Sequence, residues 1–169
     1  MNTLQLREGR AGDAAAISAL IVELAPAFFL LPNGAGTEPF LASVSASAEA
    51  GYLADPRYRF WLLEAQEAGE GGLAGFIASR DTSHLFHLFV APAWQGQGLS
   101  RRLWQVLQDG AAEAGHRGPF TVNASLPAVP VYAHFGFVAE GPVQQAHGLA
   151  FQPMRHPGRS GCDDAGLAR

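Results

Sequence analysis

A chain of 169 residues with a formal net charge of -4 is one domain's worth of sequence, long enough to build a core without disulfide or metal staples. The acidic balance, with pI near 5.8, argues against a nucleic-acid partner, whose phosphates call for a basic excess. A single cysteine, Cys162, excludes an intrachain disulfide, and no Cys/His cluster has metal-ligand spacing, so no metal is expected and a cytoplasmic location fits.

Taken in chain order, Thr3 to Arg7 alternates apolar and polar residues and predicts a first strand. Asp13 stands where an N-cap belongs, before a helix carrying Ile17, Leu20, Ile21 and Leu24 on one face; Pro26 ends it. The apolar run around this helix is broken by Glu23 and Pro26, which argues against a signal peptide or a membrane span, and no membrane partner is expected. "LLPNGAG" predicts a loop and Thr37 to Leu53 one helical segment. "YRFWLLEA" and "GLAGFIASR" predict two antiparallel strands joined through "QEAGEGG", and "SHLFHLFVA" a fourth, more central strand. A helix over Leu99 to Ala114 stops at Gly115. "PFTVNA" is the fifth strand, "LPAVPVYAHFG" a short helix, and "FVAEG" and "GLAFQPMR" the last strands. Residues 1–156 read as one domain; 157–169 are polar, aperiodic and expected to be a flexible tail.

The loop after the fourth strand, Gln95 to Ser100, carries glycines at 96 and 98 and opens a helix. Unpaired amides at a helix N-terminus, with the helix dipole behind them, make an anion site. Glycine permits positive φ and removes Cβ atoms from a ligand's path. Arg101 and Arg102 are unfavourable against the dipole unless an anion reverses the local charge. The alternatives are an ordinary turn with solvated arginines, or a module for some unrelated anion. A P-loop needs a lysine this loop lacks; the dinucleotide pattern needs a glycine where Arg101 stands.

Two motifs carry a resemblance. "VAPAWQGQGLS" supplies Val90, Pro92, Gln95, Gly98 and Ser100, and "VNASLPAVPVYAHFGF" supplies Asn123, Ser125, Tyr132, Gly136 and Phe137. In this order and spacing they resemble the two signature segments of the GNAT superfamily of N-acetyltransferases, with Ser100 departing from the usual Gly or Ala. The resemblance implies an α+β, three-layer fold. Its central sheet is mixed, mostly antiparallel and twisted, with about seven strands flanked by about four helices and a V-shaped splay between the fourth and fifth strands.

The resemblance also implies acetyl-CoA as co-substrate and direct attack by a primary amine of a small-molecule or peptide acceptor. It assigns the pyrophosphate to Gln95, Gly96, Gln97, Gly98, Leu99, Ser100 and Arg101, the pantetheine arm to Leu88, Phe89 and Val90, a further contact to Asn123, and the general acid to Tyr132. His84 and His87 are the candidate bases, with Glu64 and Glu140 behind them; on a regular pleat the odd separation of the two histidines puts them on opposite faces, unless a bulge resets it. Trp61, Phe76, Phe86 and Phe89 read as core or cleft wall, and Trp94 and Trp104 as core packing beside the helix, with contact to an adenine as the alternative. In "PAFFLLPNG", Phe28 and Leu31 are expected to pack on the first helix, leaving Phe29 and Leu30 for an acceptor cleft or a homodimer surface. The competing function is a non-catalytic acyl-CoA sensor on the same fold.

Overall fold

A computed structural model describes residues 3–66 and 71–159. The expected flexible tail falls almost wholly outside the described residues, as do Cys162 and residues 67–70 of the second hairpin connection. The alternating strands form one sheet. β1 (Thr3–Glu8), β2 (Tyr58–Gln66), β3 (Leu73–Arg80) and β4 (His84–Val90) pair antiparallel in sequence order. β5 (Phe120–Ser125) runs parallel to β4 and antiparallel to β8 (Leu149–His156), which also holds β6 (Val138–Ala139) and β7 (Gln144–Ala146). The described residues thus form eight strands, the extra one being β7, a three-residue strand too short to leave a periodic signal.

Among the described residues five helices flank the sheet: α1 (Ala14–Leu24), α2 (Glu38–Ser43), α3 (Ala46–Ala54), α4 (Leu99–Glu113) and α5 (Val129–His134). The single helix expected over Thr37 to Leu53 is two, because Ser45 takes an extended conformation and its side chain accepts from the Ala48 amide as the N-cap of α3. Asp13 holds the N-cap position of α1 as expected, but its side chain makes no capping bond there. Its carboxylate instead accepts from the Arg10 amide and from the Arg7 guanidinium, closing a 3-10 turn ahead of the helix. Residues 11–28 are apolar enough in composition to cross a bilayer, but here they form three segments, with Ile17 and Ile21 buried against the sheet.

Two cores result, one on each face. Ile17, Ile21, Val44, Phe60, Leu62 and Phe76 pack under α1 and α3; Leu63, Ile77, Leu85, Leu103, Leu107, Phe120 and Val122 pack under α4 and α5. α4 lies close on the sheet because residue 110 is glycine: a Cβ there would stand 2.4 Å from the Trp61 ring. Trp61, Phe76 and Trp104 are core, as the sequence predicts.

Two irregularities position everything that follows. β4 and β5 pair only at His84–Thr121 and Leu85–Val122; beyond that point β4 keeps β3, β5 keeps β8, and the two diverge in the expected V. The register with β3 then jumps from Ser79–Leu85 to Ala78–His87, so Phe86 is the inserted residue of a β-bulge. The bulge puts Phe86 and His87 on the same face, with Phe86 packed in the α1/α3 core and the His87 ring against Phe60, Phe76 and Phe89. The expectation that His84 and His87 lie on opposite faces is therefore corrected: His84 meets Thr121, on the side away from buried Phe120 and Val122, which is also the His87 side.

Candidate functional site

The V opens into a cavity of about 730 Å³. Leu88, Phe89 and Val90 form its floor, and the loop and first turn of α4 form one end, through Trp94, Gln95, Gly96, Gly98, Leu99, Ser100 and Arg101. One wall is Leu24, Ala27 and Phe28, from the end of α1 and the turn after it. The other comes from Pro127 to Phe135, at and before α5.

The floor has unused backbone. Ala91 donates to Ala74, so by strand alternation Leu88 and Val90 turn their N–H and C=O groups away from β3, toward the side β5 has left. Gln95 answers one of these carbonyls, its Nε2 donating to Val90 O at 3.1 Å. An extended amide-bearing chain could pair with such an edge as a further strand does.

The end wall is a run of free amides. Trp94 and Gln95 donate back to Ala91 and Pro92, and Arg102 donates to Gly98; between them, the amides from Gly96 to Arg101 donate to no backbone carbonyl. Gly96 and Gly98 have φ of 75° and 78°, and a Cβ at either would meet nothing within 4 Å. These glycines are needed for the turn and leave open space where a ligand would approach, which is what an anion cradle requires. The Arg101 guanidinium lies 5.6 Å over the Phe135 ring at this end, adding positive charge. Arg102 and Gln97 are exposed and off the wall; the Gln97 side chain reaches back to Ala93 O. The nested amides and Arg101 fit a diphosphate; the open β4 edge fits the amide-bearing arm of coenzyme A.

The proposed catalytic side chains stand behind this surface. Tyr132 is 6% exposed, its ring edge-on to Phe135 and Phe137 in the α4/α5 core, and it does not line the cavity. Burial pushes its phenol well above the usual range, so it carries its proton at neutral pH. His84 lies at the closed end of the V, its Nδ1 2.8 Å from Thr121 Oγ1. Burial, then the nearby Arg80 charge, lowers its titration to about 4, so it is a neutral ring away from the cavity. His87 is 8% exposed and sits beside the floor, Nε2 2.9 Å from Glu49 Oε1. Asn123 is exposed on β5, off the cavity wall.

Glu64 is tied to Arg7, which also holds Asp13, and Glu140 lies exposed by Arg155; neither lines the cavity. The loop after α1 is arranged differently from expectation. Phe28 faces the cavity and tilts against Phe89 at 6.0 Å. Phe29 bridges to Leu149, half-buried, and Leu30 donates to Gly148 while its side chain stays outside, as does that of Leu31. The β7–β8 turn captures this backbone, so the helical three-apart rule used for Phe28 and Leu31 does not apply there.

Sequence reasoning missed Glu49, which is fully buried in α3. The available signal was its place in an i, i+3, i+4 stripe with Tyr52 and Leu53, both packed against the α1/α3 core. It also missed the wall of Pro127, Ala128, Pro130, Val131 and His134, which a short helix after prolines does not announce.

The family profile for the acetyltransferase (GNAT) domain matches residues 30–156. No curated protein sequence matches the chain. Among solved structures, the GCN5-related N-acetyltransferase of Rhodopseudomonas palustris is similar at a TM-score of 0.69 and 24% identity, over 93% of this chain and 97% of that one. The PaiA N-acetyltransferase of Thermoplasma acidophilum, solved in complex with coenzyme A, has a TM-score of 0.71 at 13% identity, over 92% and 99%. A chimera of SpeG, the spermidine N-acetyltransferase of Vibrio cholerae, has a TM-score of 0.61 at 20% identity, over 91% and 95%.

Proposed function

The chain belongs to the GNAT acetyltransferase family, and from that premise we propose that it transfers the acetyl group of acetyl-CoA to a primary amine of a small-molecule or peptide acceptor in the cytoplasm. One observation carries the reading: the free amides of Gly96, Gly98, Leu99, Ser100 and Arg101 and the β4 edge at Leu88 and Val90, left by β5, line one continuous cavity.

In this reading the amides of Gly96, Gly98, Leu99, Ser100 and Arg101 hold the diphosphate, and Leu88 and Val90 pair with the pantetheine arm. Acetyl-CoA supplies an activated acyl group whose leaving sulfur departs as a thiol. The β4 backbone orients that group and offers an N–H to the oxygen that gains charge, an arrangement typically contributing about 3 kcal/mol. The apolar side chains of Leu24, Ala27, Phe28, Pro130 and Val131 flank it. Tyr132, kept protonated by its burial, is the proton donor to the leaving sulfur, and His87 the acceptor of the amine's proton. His84 is not given this role, because the paired end of the V separates it from the cavity.

A second reading, an acyl-CoA sensor without turnover, draws on the absence of Tyr132, His84 and His87 from the cavity wall. One experiment separates the two. Calorimetry with CoA measures binding, and thiol release from acetyl-CoA with polyamines, amino acids and peptide N-termini measures transfer. The transferase reading expects both; the sensor reading expects binding alone; no binding would reject both.

A further inference from the structure

The α1/α3 core contains a fully buried acid. Glu49 is 0% exposed, its Oε1 lies 2.9 Å from His87 Nε2, and its Oε2 is sealed without a partner. A buried carboxylate left half-satisfied is destabilising and is kept where it does chemistry more readily than where it only packs. The His87 ring sits among Phe60, Phe76, Phe86 and Phe89, with centroids 4.1 to 6.3 Å away. The β4 bulge turns it to this face, and the next residue, Leu88, begins the open edge. His87 Nδ1 makes no hydrogen bond and is not among the sealed unpartnered atoms, which are Glu49 Oε2 and Arg80 Nε.

We propose that Glu49 is a positioning residue: by accepting from the Nε2–H of His87, it holds the imidazole with Nδ1 bare, as the proton acceptor for the attacking amine. This rests on the acetyltransferase reading above. The amine nitrogen bonds to the acetyl carbon, the carbon–sulfur bond breaks, the amine's proton passes to Nδ1 directly or through one water, and the thiolate takes the Tyr132 proton. His87 then returns its proton to solvent and Tyr132 regains one, so the sum is amine plus acetyl-CoA giving amide plus CoA thiol. The Glu49 carboxylate stabilises the imidazolium formed on the way. The other ionisable groups around the pair are the phenols of Tyr52 on α3 and Tyr58 on β2, with Arg80 on β3 and His84 on β4 beyond Phe86. The Tyr52 phenol is pushed up by burial and then by the Glu49 charge, so it stays neutral at neutral pH.

The test compares the pH dependence of kcat in wild type, Glu49→Gln, His87→Gln and the double variant, with acetyl-CoA Kd and Tm alongside. Removing the carboxylate weakens the base, so Glu49→Gln is expected to lower plateau kcat about tenfold and move the acidic limb to lower pH, with Kd within about threefold. His87→Gln should lose the limb and about 10²-fold in kcat, and the double variant should match it rather than fall further. An unmoved limb in Glu49→Gln, whether kcat is retained or falls together with Tm, would overturn the proposal. Should that variant not fold, ¹⁵N NMR of the histidine-labelled wild type decides: the Nε2–H tautomer at His87 is expected, and the Nδ1–H tautomer would overturn it. Wild type that releases thiol with no amine refutes the acetyltransferase reading itself; wild type that does, with an unmoved Glu49→Gln limb, refutes the dyad alone.

Discussion

β4 has two halves that share a strand and little else. At its start, His84 and Leu85 pair with β5, and the His84 ring is tied to Thr121 and neutral. After the bulge, Leu88 and Val90 lose their β5 neighbours, and their polar edge faces a cavity. The first half is sheet like any other. The second is sheet with one strand missing, and an unpaired edge inside a fold persists where something else pairs with it. The difference teaches where to look for function: substitutions around the closed half should change stability, and substitutions around the open half should change binding or rate.

The largest expected effect breaks that division on purpose. Tyr132 is a core residue next to the open half, so a purely structural role would show in Tm. Tyr132→Phe keeps the ring and removes the proton. We expect kcat to fall about 10²-fold, with acetyl-CoA Kd and Tm nearly unchanged. Wild-type turnover would make Tyr132 a packing residue.

Gly110 sharpens the closed side. Gly110→Ala would drive a methyl group into the Trp61 ring, and overpacking of this kind costs about 1–3 kcal/mol, partly offset by the better helix propensity of alanine. Urea unfolding should show a net loss of about 1 kcal/mol or more, while CoA Kd stays within about threefold.

The third effect is a pH dependence. The folded titration of His84 lies near 4, below the ordinary histidine value of about 6.5, so between these pH values the unfolded chain binds the extra proton. The His84 contribution is therefore present above about 6.5 and is lost as pH falls toward 4. The difference in Tm between wild type and His84→Gln should shift in favour of the variant across that window. A difference that stays flat would mean that the ring is as easily protonated folded as unfolded.

The smallest effect is expected at Leu30 and Leu31, both exposed on the loop that pairs with the β7–β8 turn. Serine at both positions should leave stability within about 0.5 kcal/mol and CoA Kd unchanged. A change in acceptor KM or in sedimentation would mark this loop as an acceptor or dimer surface.

Much of this was legible before the structure. Gln95 to Ser100 announced its cradle because free amides and two left-handed glycines are local properties, written in adjacent residues. α4 was legible for the same reason, its apolar period being strong. The V itself was implied only by resemblance, since the loss of a strand neighbour leaves no mark on either strand's sequence. The bulge at Phe86 was invisible, because "HLFHLFV" alternates poorly with or without it. Glu49 and His87, 38 residues apart, meet only through the packing of α3 on the bulged face. Phe28 and Leu31, both expected on the first helix, face the cavity and the outside instead, since the β7–β8 turn that holds this loop is unseen in the sequence.

The central claim is that the amides of Gly96 to Arg101 receive the diphosphate of coenzyme A. Titration calorimetry of CoA into wild type and Gly98→Asp tests it most directly. An aspartate there sets a negative charge and a strained positive φ at the N-cap of α4, in space that is otherwise open. The account predicts that Kd rises tenfold or more, about 1.4 kcal/mol or above, in a variant that still unfolds cooperatively. Equal affinity in the two proteins would contradict it.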